Sequence, residues 1–105
     1  MSNKEILNTI KSTVHTFLPD SRVLLFGSRA TGKANKDSDY DVLVVTLKTF
    51  SERAKLNWES KIHEAVVEAI DAPVDIVINS NAEISYKKKI HGHYIFNALK
   101  EAIEL

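Results

Sequence analysis

Three short apolar runs, separated by longer stretches of helical periodicity, set the fold class that this chain of 105 residues can adopt. The runs are Arg22–Phe26, Tyr40–Thr46 and Val74–Ile78, and the last two are rich in β-branched residues. Runs of this length, bounded by Gly, Pro and Asp, are typical of buried strands and too short for helices. The middle of the chain is therefore expected to build a sheet.

Segments with helical periodicity lie before, between and after these runs. The first has an apolar residue at every third or fourth position over Ile6–Phe17, and Ser2 with Glu5 fits a capping box at its start. The second begins at Ser51, and the third runs from about residue 82 with a break at Gly92. This order predicts an α/β (α+β) fold, with a small mixed sheet of at least three strands flanked by helices.

The last quarter of the chain carries three further patterns. The segment 79–81 (Asn-Ser-Asn) is typical of a turn after the third strand. Lys87–Lys89, His91 and His93 are typical of a solvated surface, because histidines two residues apart point in different directions on a helix. The final helix is predicted to present an apolar stripe formed by Ile95, Leu99, Ala102 and Ile103.

Length and composition predict one globular domain that spans residues 1–105. Fourteen Lys and Arg offset fourteen Asp and Glu. This balance argues against a protein that mainly clamps nucleic acid. The absence of Cys excludes disulfides, thiol nucleophiles and Cys-based zinc sites. The apolar runs are far shorter than the roughly 20 residues of a membrane span, and the N-terminus does not resemble a signal peptide, so we expect a cytoplasmic domain without a membrane partner.

The first two runs are joined by a segment that begins Gly27-Ser28-Arg29. A strand that turns into a helix at Gly-Ser presents backbone N–H groups, a hydroxyl and a helix dipole, all of which favour phosphate. Gly27 lets a phosphate approach the backbone because it has no Cβ. Arg29 would supply a countercharge. The alternative interpretation is an ordinary strand-to-helix turn in which Ser28 is the N-cap.

Asp39 and Asp41 open the second apolar run, where Asp is disfavoured. At positions i and i+2 of a strand, both carboxylates point to the same face, roughly 6.6 Å apart along the chain. A divalent cation would relieve their repulsion. The alternative is that Asp39 is a turn or cap residue.

Asp75 is the third acid and lies inside the third apolar run. If that strand lies beside the second, Asp75 comes within about one strand spacing, roughly 4.8 Å, of the first two acids. There it could share a metal or accept the proton of an attacking hydroxyl. Taken alone, Asp75 is better explained as a solvent-facing residue at the start of a strand after Pro73.

The pattern Gly27-Ser28, ten residues, Asp39, one residue, Asp41 resembles the signature of the DNA polymerase β nucleotidyltransferase superfamily. Residues 22–46 are similar to its minimal, single-domain (MNT) branch, and Asp75 matches the third family carboxylate. The resemblance implies transfer of a nucleoside monophosphate, AMP from ATP, to a hydroxyl. It implies that Gly27 and Ser28 hold the triphosphate, and that Asp39, Asp41 and Asp75 bind two Mg²⁺ ions and carry catalysis.

Members of this branch pair with a HEPN-type ribonuclease toxin, which they silence by adenylylating a tyrosine, or with a helical substrate-binding partner. The resemblance therefore implies an antitoxin that modifies a partner protein. Two alternatives stay open at this point: transfer to a small molecule such as an aminoglycoside, with a partner subunit or a second copy of the chain completing the site, and neutralisation of a partner by contact alone.

Overall fold

The computed structural model describes residues 1–90 and 92–105, so the interpretation of His91 lies outside the described residues. Helices and strands follow one another in the described chain in this order: α1 (Asn3–Phe17), β1 (Arg22–Phe26), α2 (Ser28–Thr31), β2 (Tyr40–Thr46), α3 (Glu52–Ile70), β3 (Val74–Ser80), α4 (Asn81–Lys87), α5 (Tyr94–Glu101) and β4 (Ile103–Glu104). No helix among these residues combines the length and apolar character needed to cross a membrane.

Serine residues fix the starts of three helices. Ser2 and Glu5 form the predicted capping box at α1. Ser51 caps α3 through its side chain, and Ser80 forms a second capping box with Glu83 at α4. Each serine oxygen accepts a backbone N–H that the first helical turn leaves without a partner.

The sheet formed by the described strands has the order β3-β2-β1-β4, with β2 parallel to β3 and the other two pairs antiparallel. Parallel neighbours need a crossover connection, and α3 supplies it between β2 and β3. The predicted mixed sheet flanked by helices is therefore confirmed.

The fourth strand corrects the prediction that Ile103 belongs to a helical apolar stripe. Helix α5 ends at Glu101, and Ala102 has extended backbone angles. Ile103 then pairs with Leu25 of β1, and its side chain is about half exposed. The backbone of Ile103 and Glu104 pairs with the edge of β1 instead of continuing the helical hydrogen bonds that the apolar spacing predicted.

Two apolar layers cover the two faces of the sheet. One face packs against α1 and α3 through a cluster that includes Val42, Val44 and Ile76. The other face carries a smaller cluster that includes Leu43 and Ile95. Since side chains alternate along a strand, Asp41 and Asp75 lie on the face of the smaller cluster.

The segment predicted as a turn after the third strand is a continuation of that strand. Asn79 and Ser80 pair with Val45 and Thr46, so that prediction was wrong. Both side chains are fully buried, and Asn79 Oδ1 accepts a hydrogen bond from Lys87 Nζ at 2.6 Å. The lysine run is therefore only partly solvated, because its first member anchors α4 to the sheet.

Candidate active site

The turn after β1 is built on a glycine conformation. Gly27 has φ +70° and ψ −157°, a region that is essentially restricted to glycine. It occupies the N-cap position of α2, and Ser28 is the first helical residue. The alternative interpretation of Ser28 as the N-cap was therefore wrong. The turn still brings a helix start to the end of β1, where unpaired N–H groups and the helix dipole favour an anion.

Gly27 also packs against one of the predicted acids. A Cβ built on Gly27 would lie 2.2 Å from Oδ2 of Asp41, which is closer than any real contact. From the sequence we expected a phosphate to approach Gly27 in this space, but the carboxylate of Asp41 fills it. The absence of a side chain at Gly27 therefore brings the turn and the acid into direct contact.

The register of β2 and β3 brings the acids together as predicted. Asp41 and Asp75 are directly paired across the parallel ladder, so their side chains lie on one face at adjacent strands. Asp39 precedes β2 by one residue and is exposed, as is Asp75, whereas Asp41 is partly buried. Asp41 and Asp75 thus lie side by side on neighbouring strands, and Asp39 lies two residues before Asp41.

Burial and the neighbouring carboxylates change the ionisation of Asp41. Partial burial raises the pKa of Asp41, and the negative charges of Asp75 and Asp39 raise it further. Each cause disfavours the charged form of the carboxyl. The site therefore has an excess of negative charge that a cation would relieve.

The donor chemistry of the three acids fits Mg²⁺, which prefers carboxylate oxygens and is commonly held by one or two of them together with substrate phosphates. Within residues 1–90 and 92–105, no group of three or more His, Asp or Glu side chains is arranged closely enough to bind a metal ion unaided. Metal binding by Asp39, Asp41 and Asp75 therefore stays a prediction.

Arg29 holds the loop between α2 and β2. Its guanidinium donates to the backbone carbonyl of Ser38 at 2.9 and 3.3 Å, and it lies 4.2 Å from the centroid of the Tyr40 ring. Tyr40 is buried on the α1 and α3 side of the sheet, as expected for a residue between the two acids. Through these contacts Arg29 positions the segment that contains Asp39. The contact of Arg29 with the nucleotide stays a prediction.

A depression with a volume of about 550 Å³ opens beside Asp41 and Asp75. Its other walls come from Phe26 and from residues of α3, β3 and α5, among them Leu56, His63 and Tyr94. The sequence did not predict these residues as part of the site, because their proximity arises only when α3 packs against β3 and α5 packs on the face of the sheet. The spacing of these residues along the chain does not indicate that they lie beside the acids.

The structure thus places a glycine turn against Asp41 and pairs Asp41 with Asp75 on a mixed sheet. A family model described as "Polymerase beta, Nucleotidyltransferase" matches residues 8–101. The chain therefore belongs to the polymerase beta nucleotidyltransferase family, which confirms the family that the Gly27-to-Asp41 pattern predicted.

Known relatives and solved structures agree with this assignment. A Methanocaldococcus jannaschii protein named "Putative protein adenylyltransferase MJ0141" is 32% identical over 103 residues, which span 96% of each chain. A structure described as a "putative minimal nucleotidyltransferase" is 25% identical, with a TM-score of 0.68 over 100% of this chain and 97% of that one.

A more distant structural match shows the same fold. It belongs to the structure of a tri-AMPylated Shewanella oneidensis HEPN toxin in complex with an MNT antitoxin, with a TM-score of 0.60 and 18% identity. The match covers 98% of this chain and 71% of that one.

Asp41→Asn should stabilise the protein at neutral pH when divalent cations are absent. The raised pKa of Asp41 in the folded state means that wild-type stability falls as the pH rises from the ordinary carboxyl pKa through this raised value. We expect the melting temperature of the variant to exceed that of the wild type by a few degrees at neutral pH, and the difference to vanish in acid. Asp37→Asn, in the exposed loop that precedes β2, is the control; a lower melting temperature for Asp41→Asn at neutral pH would contradict this account.

Gly27→Ala should cost far more stability than Gly32→Ala, although both glycines have positive φ. A Cβ at Gly32 meets no atom of the described residues within 4 Å, so we expect only the left-handed backbone cost of about 1 kcal/mol. At Gly27 the new methyl also collides with Asp41, and we expect a loss of about 2 kcal/mol or more. Urea unfolding measures both losses, and equal values would show that the contact with Asp41 is unimportant.

Proposed function

We propose that this protein transfers AMP from ATP to a hydroxyl group of a partner protein. The observation that carries the proposal is the direct pairing of Asp41 with Asp75, beside a glycine turn that contacts Asp41. The name of the Methanocaldococcus jannaschii relative, a protein adenylyltransferase, supports AMP and a protein acceptor.

Each element of the site has a role in this reaction. Gly27 and Ser28 hold the triphosphate at the start of α2. Asp39, Asp41 and Asp75 hold Mg²⁺, which when bound neutralises charge on the phosphates and on the leaving pyrophosphate. Asp75, on the edge strand of the sheet, also orients the acceptor hydroxyl. Arg29 fixes the loop that carries Asp39.

The acceptor is proposed to be a HEPN-type toxin, so that the protein serves as the antitoxin of a toxin–antitoxin pair. The structural match to an MNT antitoxin in complex with a modified HEPN toxin supports this partner. In this proposal the partner itself supplies the acceptor surface.

The test is to incubate the purified protein with a HEPN protein encoded beside its gene, Mg²⁺ and α-labelled ATP. We expect label on the HEPN protein, and loss of transfer by about 10²-fold or more in Asp39→Asn and Asp75→Asn, because each removes charge that acts on the reacting phosphates. Asp37→Asn is the matched control, since it removes an exposed carboxylate from the same loop.

Two results would overturn the proposal. Full transfer by both Asp39→Asn and Asp75→Asn would remove the acids from catalysis. Toxin binding and protection of cells without any label, by wild type and variants alike, would show neutralisation by contact alone.

A further inference from the structure

The lining of the depression beside the acids includes Asp75, the residue proposed to orient the acceptor hydroxyl. Along the sheet order, Gly27 follows β1, Asp41 lies in the central strand β2, and Asp75 lies in the edge strand β3. A triphosphate held at Gly27 would therefore have Asp75 and the free edge of β3 on its far side. The walls that α3 contributes to the depression cover this edge, where Glu59 accepts a hydrogen bond from the Ile78 N–H at 2.8 Å.

Helix α5 contributes a tyrosine to the lining of this depression. Tyr94 is the first residue of α5, lines the depression together with Asp41 and Asp75, and is 48% exposed. Its neighbours on both sides hold it in place: Ile95 is fully buried against the sheet, and His93 caps the helix by accepting the Ile95 N–H at 3.1 Å. The rings of His93 and Tyr94 also stack, with centroids 4.8 Å apart.

The chain contains three tyrosines, and only their surroundings distinguish them. Tyr40 is 3% exposed beneath Arg29, so its hydroxyl belongs to the core. Tyr86 is 70% exposed on α4, whereas Tyr94 shares its depression with the two acids. Ser60 also lines the depression, but a phenol loses its proton more readily than an aliphatic alcohol.

We propose that Tyr94 is a self-acceptor: without a partner in the depression, the protein transfers a nucleoside monophosphate to the hydroxyl of Tyr94 in its own chain. This inference rests on the proposed nucleotidyl transfer. The Tyr94 oxygen forms a bond to the α-phosphorus of the triphosphate, the bond from that phosphorus to the bridging oxygen breaks, pyrophosphate leaves, and the phenol proton passes to water. The product would occupy the depression and exclude other acceptors from it.

The test uses the purified protein alone with Mg²⁺ and α-labelled ATP, followed by intact mass measurement and peptide mapping. We expect a mass gain of one AMP per chain on the peptide that contains Tyr94, at a rate per chain that does not depend on protein concentration. Tyr94→Phe should reduce labelling by about tenfold or more, because no other phenol is held beside the acids. Tyr86→Phe, which removes a more exposed phenol, should label like the wild type.

The competing outcomes separate this inference from the function on which it rests. Label on Tyr86 or Ser60, or full labelling of Tyr94→Phe, would overturn the assignment of Tyr94. A chain that modifies a HEPN partner but never itself would overturn self-modification and leave the proposed function intact. Mapping on the wild-type protein keeps the test decisive if Tyr94→Phe folds poorly. A chain that modifies neither itself nor a partner would overturn both.

Discussion

The in-register parallel pairing of β2 with β3 places two like charges, Asp41 and Asp75, opposite each other. Most other features of the site follow from this pairing. Asp39 joins the pair because side chains two residues apart on an extended chain share a face. Gly27 has no side chain because the carboxylate of Asp41 fills the space that one would need. Arg29 ties down the loop through which the chain reaches Asp39.

Burial of Asp41, together with the negative charges of Asp75 and Asp39, raises the pKa of Asp41, so the charged form of this carboxyl opposes folding. Apolar side chains on both faces of the sheet offset this cost in folding free energy. In β2, all residues from Val42 to Thr46, which follow Asp41, are buried. Local conflict within an otherwise consistent core is typical of functional sites, where stability is given up for chemistry. In the proposed function, a cation accompanied by phosphates would relieve this conflict.

The sequence predicted the parts of the structure that depend on local pattern. The three main strands and the capping box at Ser2 follow from apolar runs and cap chemistry. The proximity of Asp41 to Asp75 was predicted only on the condition that their strands are neighbours, a condition that the structure meets. Features that depend on contacts between residues far apart in the sequence were not predicted. Pairing of Ile103 with β1 and extension of β3 through Ser80 are set by partners far away along the chain. Tyr94 joined the site only because Ile95 docks α5 on the sheet.

The central claim is that these acids and the glycine turn form one site for Mg²⁺ and a nucleoside triphosphate. The most direct measurement is the melting temperature with Mg²⁺, with a non-hydrolysable ATP analogue, and with both, for the wild type and Asp75→Asn. Because ligands that bind only the native state stabilise it, we predict that the two together raise the wild-type melting temperature by more than the sum of their separate effects. The variant should lose this excess. No excess in the wild type, or an equal excess in the variant, would contradict the account.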